Sequence, residues 1–220
     1  EKAGIIKEGG CVLFGGNGKS IEEVIKNKAA EMNAEYHYAD KSSLEIISSD
    51  LSGSLINYGE RKEIKLPLLG LYQPLNAANV LCAVDLLKSK GFTVSEEALR
   101  EGILAARWPA RFEIISRDPL IIFDGAHNPE GIETAVKSIK RYFGDKKVCI
   151  LTGVMKDKDY NYIASKFSEI SNRAFTITPQ NPRALPAEEY AKVLEGVGIT
   201  ASAYASVSDA LDDAKTYAKS

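Results

Sequence analysis

The sequence predicts an α/β protein. Its second half reads as a Rossmann-like, doubly wound, mostly parallel sheet, preceded by another α/β region with a small antiparallel β portion. Three observations carry this. After Arg111, short apolar strand-like runs alternate with amphipathic helical patterns over short loops, the grammar of right-handed parallel crossovers. Before it, strand-like runs are separated by polar, hairpin-style breaks. Residues 119–131 read Pro-Leu-Ile-Ile-Phe-Asp-Gly-Ala-His-Asn-Pro-Glu-Gly, an apolar run that stops on Asp-Gly and restarts as a helix through Asn-Pro. Open parallel sheets bind their ligands at such strand ends.

Taken in order, Cys11 to Phe14 is a short strand, and Ser20 then caps a helix with Glu23 completing a capping box. Ile21, Val24, Ile25, Ala29 and Met32 make one stripe of that helix. The intervening Gly15-Gly16-Asn17-Gly18-Lys19-Ser20 mimics a phosphate-binding P-loop. That loop needs a glycine five residues before its Gly-Lys-Ser, where the backbone curls round the phosphate, and here the position is Leu13. The stretch therefore reads as a glycine turn feeding a helix. Strand-like runs follow at Glu35 to Tyr38, Leu44 to Ser48 and Leu55 to Leu66. Leu75 to Leu87 is apolar nearly all round, the pattern of a helix buried on several sides. Ser95 caps a further helix through Ala106, which Trp108-Pro109 stops.

In the second half, Phe112 to Ser116 and Leu120 to Asp124 flank the tight turn Arg117-Asp118-Pro119 and read as an antiparallel pair. Helix 130–143 ends at Gly144. Strand Lys147 to Gly153, helix 158–169, strand Ala174 to Thr178, helix 186–195, strand Ile199 to Tyr204 and helix 207–218 complete the series. The boundary falls near Arg107 to Arg111, giving domains 1–107 and 108–220.

Composition fits a soluble body of one large or two small domains: 220 residues, 45% hydrophobic and 26% charged, are enough to bury a core. With a net charge of −2 and no basic block, nothing draws the chain to nucleic acid or to anionic membranes. No apolar run is long enough to span a bilayer, and no signal-peptide pattern opens the chain. Cys11, Cys82 and Cys149 are odd in number and widely spaced, which suits buried thiols in a reducing compartment, the cytosol by default, rather than a disulfide frame or a zinc site.

Candidate site residues follow from the strand ends. Asp124 and His127 sit where a helix presents its positive N-terminus and unpaired N–H groups, with Asn128 as N-cap and Pro129 in the first turn. Asn76 stands in the first turn of a buried helix, where its amide can cap locally or meet a ligand. Arg111 lies beside a linker-like Trp-Pro, where a guanidinium can fork onto phosphate or join a surface ion pair. Lys156, Asp157 and Arg183 follow strand ends suited to the carboxylates of an amino acid.

Asp124-Gly125-Ala126-His127-Asn128-Pro129 resembles the D-x-A-H-N-P signature of folylpolyglutamate synthases and the wider Mur ligase superfamily. Further matches occur in the same order. Glu1 to Lys7 resembles E-K-A-G-I-I-K-P-G, Leu69 to Ala78 resembles L-x-G-x-H-Q-x-x-N-A-x, and Trp108 to Glu113 resembles W-P-G-R-x-E, with Ala110 at the glycine. Gly153 to Asp159 and Asn181 to Leu185 are similar to further family segments. The resemblance implies a C-terminal fragment: domain 1–107 is the end of the central ATP-binding domain, and domain 108–220 is the glutamate-binding domain of the Mur ligase C-terminal type. The family's phosphate loop, a G-T-x-G-K-G-S run, lies upstream of the Glu1 motif and is expected before this chain. A further strand is expected after it.

The resemblance implies an ATP-dependent ligase, a folylpolyglutamate or dihydrofolate synthase, that activates a folate or dihydropteroate carboxylate as an acyl phosphate for attack by L-glutamate. ATP and Mg²⁺ are the implied cofactors. Asn76, Arg111 and Asp124 are implied to contact the nucleotide, and His127, with Asp124, to stand near the reacting groups. Lys2 matches a lysine that the family carbamylates as a Mg²⁺ ligand. The parent is expected to be a cytoplasmic monomer with small-molecule substrates and neither nucleic-acid nor membrane partners, and the fragment is expected to be inactive alone. A Mur-type peptidoglycan ligase and a non-catalytic nucleotide-binding domain are the alternatives.

Overall fold

The computed structural model describes residues 2–219; Glu1, the first residue of the opening motif, and Ser220 lie outside the described residues. Two compact units form. Unit 1 comprises residues 1–67 and 72–107, and unit 2 comprises residues 68–71 and 108–220.

Unit 1 begins with a 3-10 turn at Lys2–Ile5, then β1 (Cys11–Phe14), α1 (Lys19–Glu31) and β2 (Glu35–Tyr38). β1 and β2 pair in parallel across the α1 crossover, Cys11 opposite Glu35 and Leu13 opposite His37. Ser20 does not cap α1. Gly18 takes the cap position with φ 103°, a left-handed backbone that glycine alone adopts cheaply, and Ser20 falls inside the helix. Of the expected stripe only Ala29 is buried, and Ile21 and Val24 are exposed.

β3 (Leu44–Asp50), β4 (Gly53–Tyr58) and β5 (Arg61–Leu66) form an antiparallel meander. The run from Leu55 to Leu66 is thus two strands, because Gly59, at φ 56°, turns the chain between them. α2 (Gln73–Ser89) buries one face, with Ala77, Ala78 and Leu81 inside, while Leu75, Val80 and Leu87 are exposed. It is less enclosed than its all-round apolar pattern predicts. α3 (Glu96–Leu104) starts as expected on Ser95, whose side chain accepts from Ala98 N. Cys11 is exposed, and Cys82 and Cys149 are half-buried, so none of the three is the fully buried thiol expected.

Unit 2 opens with an antiparallel hairpin, β6 (Glu113–Arg117) and β7 (Leu120–Phe123). Then follow α4 (Pro129–Phe143), β8 (Cys149–Thr152), α5 (Tyr160–Phe167), β9 (Arg173–Ile177), α6 (Ala187–Gly196), β10 (Thr200–Tyr204) and α7 (Val207–Lys219). β8, β9 and β10 make a parallel sheet in the order 10-9-8. The hairpin is a separate two-stranded ladder, so the parallel sheet is smaller than the continuous alternation suggests. Helices cover both of its faces. Ile132 and Val136 of α4, Ile163 of α5 and Tyr190 and Leu194 of α6 pack with Ala174 on one side. Phe175 meets Ala210 and Ala214 of α7 on the other. Each such side chain removed from water stabilises by roughly 1.5–3 kcal/mol for the larger ones, so this closed double layer dominates the stability of unit 2.

Candidate functional site

The loop between β7 and α4 is built by its own polar groups. Asp124 accepts two backbone N–H bonds, Oδ1 from Ala126 at 2.7 Å and Oδ2 from Phe112 at 2.8 Å. The second ties the loop to the segment just before β6. Gly125 N adds a third tie, donating to Ala110 O at 2.9 Å. A Cβ at Gly125 would stand 3.2 Å from Arg111 Nη1 and 3.3 Å from Ala110 O, so this approach wants glycine. Ala110 and Phe112 hold left-handed φ values of 57° and 50°, a conformation that costs an L-residue roughly 1–2 kcal/mol and persists because the ties over-determine it.

Beyond this anchor, Asn128 caps α4, its Oδ1 accepting from Gly131 N at 2.9 Å, and Pro129 occupies the first turn. His127 is exposed, and its Nδ1 lies 2.9 Å from Gly125 O. A carbonyl oxygen only accepts, so Nδ1 carries the hydrogen. In the neutral ring Nε2 is then the bare nitrogen, oriented to take a proton or, once protonated, to face an anion.

His127 also lines a cavity of about 360 Å³ at the carboxyl end of β8. Its polar lining includes Thr152, Lys158 and Arg183, and Ile132, Ile163 and Phe167 supply apolar wall. Gly153 lets the end of β8 approach β9, since a Cβ there would meet Ile177 O at 2.6 Å. The chain then bends into a bridge between Met155 and Ala184, with Lys156 N donating to Arg183 O at 2.8 Å and Leu185 N to Val154 O at 2.9 Å. This clamp brings Arg183 to the cavity. Arg183 Nη1 pairs with Asp157 Oδ2 at 2.9 Å. Lys156 and Asp157 are exposed and lie outside the lining, whereas half-buried Lys158 is part of it. Lys158 was not singled out from the sequence. The Lys-Asp-Lys spacing held the signal, but only the bend after β8 decides which lysine turns inward. Two cations beside an oriented imidazole suit an amino acid's carboxylates.

The remaining candidates are not among the residues that line this cavity. Asn76, exposed in the first turn of α2, donates through Nδ2 to Gln73 Oε1 at 3.1 Å. Arg111 is exposed, with a long 3.4 Å contact from Nη1 to Ala110 O. Lys2 is exposed in the opening 3-10 turn. In the glycine run before α1, the Lys41 ammonium donates to Gly15 O. No helix among the described residues is long and apolar enough to cross a membrane.

Residues 110–220 match the family described as Mur ligase, glutamate ligase domain. The chain is 31% identical over 203 residues to a folylpolyglutamate synthase of Lacticaseibacillus casei, an alignment covering 89% of this chain and 47% of that protein. Among solved structures, E. coli FolC in complex with DHPP and ADP superposes with a TM-score of 0.77 at 28% identity, covering 98% of this chain and 49% of that one. A bifunctional folylpolyglutamate synthase/dihydrofolate synthase with Mn, AMPPNP and L-glutamate bound gives 0.73 at 25% identity, with 98% and 49% covered. The chain thus spans about half the length of the relatives it matches.

Proposed function

The chain belongs to the Mur ligase family, and from that membership we propose that it is the part of an ATP-dependent folylpolyglutamate or dihydrofolate synthase that receives L-glutamate and forms one wall of the nucleotide site. The observation that carries the reading is the cavity at the end of β8, where His127, Lys158 and Arg183 meet. ATP with Mg²⁺ supplies, when bound, the phosphoryl group that turns a folate or dihydropteroate carboxylate into an acyl phosphate. This chain's residues do the rest of what is proposed. Arg183 and Lys158 hold the carboxylates of the incoming glutamate, with Lys156 and Asp157 supporting them from the adjoining loop. His127, through the bare Nε2, accepts a proton from the attacking amine or, once protonated, faces the developing negative charge.

Each residue's chemistry suits one part of the proposed nucleotide. Arg111 offers a guanidinium for phosphate oxygens, and Asn76 an amide for base or ribose. Asp124 has already given one lone pair of each oxygen to a backbone N–H. It retains acceptor capacity for a ribose hydroxyl and acts on the chemistry by fixing His127's loop. Lys2, if carbamylated, offers Mg²⁺ an oxygen ligand. The parent is proposed to act as a cytoplasmic monomer on small molecules, without nucleic-acid or membrane partners, and this chain alone is proposed to be inactive.

The test is steady-state kinetics of the parent enzyme. His127→Ala should lower turnover by about two to four orders of magnitude with the fold intact. Arg183→Ala should raise KM for glutamate more than for ATP, and Arg111→Ala should do the reverse. Near-wild-type kinetics for His127→Ala would refute the assignment.

A further inference from the structure

A cluster of possible metal ligands lies on β1 and β2 of unit 1. The parallel pairing of β1 and β2 sets Cys11 opposite Glu35, and His37 follows two residues along the same strand, hence on the same side of the ladder as Glu35. One ligand atom from each of Cys11, Glu35 and His37 lies within 4.8 Å of the other two. His37 Nε2 is 2.8 Å from Glu35 Oε1, yet it is shielded from solvent and has no aligned hydrogen-bond partner. That contact sets a nitrogen and an oxygen donor side by side, as two ligands of one cation must stand. Glu35's other oxygen, Oε2, pairs with the Lys90 ammonium, which fixes the carboxylate and leaves Oε1 turned toward the imidazole.

We propose that Cys11 Sγ, Glu35 Oε1 and His37 Nε2 form a three-ligand site for a thiophilic divalent cation, Zn²⁺ in the first instance. Tetrahedral zinc holds sulfur at about 2.3 Å and nitrogen or oxygen at about 2.0–2.2 Å, so its ligand atoms stand roughly 3.5 Å apart. The three atoms, within 4.8 Å of one another, have to close by up to about 1.3 Å to reach that spacing. A water completes the fourth position, as in zinc sites with three protein ligands. The Cys11 thiol gives its proton to solvent on binding, and one thiolate with one carboxylate offsets the dication, with the Lys90 ammonium left as an added positive charge. Lys90 then acts as the outer partner of the ligating carboxylate. The cysteine spacing alone speaks against zinc because it leaves out a histidine and a carboxylate that the β1–β2 register delivers.

The test uses the reduced, metal-free chain titrated with Co²⁺ and back-titrated with Zn²⁺. One equivalent should produce thiolate-to-cobalt charge transfer in the near ultraviolet with the intense visible bands of four-coordination, and Zn²⁺ should abolish both. Cys11→Ser and His37→Gln should each weaken Zn²⁺ binding at least about tenfold by calorimetry, with circular dichroism unchanged, while Cys82→Ser and Cys149→Ser leave it as it was. Glu35→Gln, at an exposed position, provides a second variant that keeps its fold and should also weaken binding. Cobalt spectra without thiolate charge transfer, or Zn²⁺ affinity equal in Cys11→Ser, Glu35→Gln and the unaltered chain, would overturn the proposal.

Discussion

In unit 2, neighbouring residues of one strand serve two cores: Ala174 packs under α4, α5 and α6, and Phe175 under α7. In unit 1 the buried side chains Ile56, Ile64, Leu66, Leu81, Leu99 and Ile103 sit in the meander, α2 and α3, while Ile21 and Val24 of α1 are exposed, and polar ties add to the holding. Arg61 bridges Asp85 of α2 and Glu96 of α3, and Lys88 joins Glu96. Apolar burial is not screened by salt, whereas ties between partly exposed charges are. The difference teaches that unit 2 covers both faces of its parallel sheet with apolar helix faces and can hold a loop in a costly conformation, while in unit 1 the burial is concentrated in the meander, α2 and α3, and α1 adds little to it.

The largest test of that contrast is core truncation. Leu194→Ala in unit 2 should cost about 2–5 kcal/mol in denaturant unfolding, because Leu194 is fully buried in the larger cluster, whereas Val24→Ala in unit 1 should change stability by under about 0.5 kcal/mol. Equal losses would break the comparison.

A smaller effect is expected at the anchor of the His127 loop. Asp124→Asn replaces one of two acceptor oxygens by an N–H₂ group facing a backbone donor, and should cost about 1–3 kcal/mol. Amide exchange should speed up at Phe112 and Ala126 and leave β8 to β10 protected. A loss of protection across the whole of unit 2 would show that the anchor belongs to the core rather than to the loop.

How much of this was legible in the sequence depends on how far apart the interacting residues stand. Helix α4 could be read from its Asn-Pro start and Gly144 stop, and the strand–helix alternation after Arg111 gave each element of unit 2 within a few residues. The ties from Asp124 to Phe112 and from Gly125 to Ala110 could not be read, because they depend on how the 110–113 turn is folded. The same limit hid Lys158, whose inward position depends on the Met155–Ala184 bridge, and the closeness of Cys11, Glu35 and His37, which needs the α1 crossover. Gly18 displaced Ser20 at the α1 cap because a glycine already sat at the left-handed position.

The smallest effect is electrostatic. Lys140 and then Lys166 hold the Glu169 carboxyl down at about 2, tying α4 and α5 to the segment after α5. A carboxylate whose folded pKa is depressed adds stability that is fully present above its unfolded pKa, near 4.3, and is lost as pH falls toward about 2. All three side chains are a quarter or more exposed, so screening keeps the contribution small. Glu169→Gln should therefore lower stability at pH 7 by under about 1 kcal/mol and leave it unchanged near pH 2. A loss of the same size at both pH values would point to packing instead.

The proposal that unit 2 carries the amino-acid site is tested most directly by following backbone amide resonances of the reduced chain while L-glutamate is added. The account predicts saturable shifts confined to His127, Thr152 to Lys158 and Arg183, absent for D-glutamate at the same concentration and lost in Arg183→Ala. Shifts centred on Gly15 to Ser20, or none at millimolar L-glutamate, would contradict it.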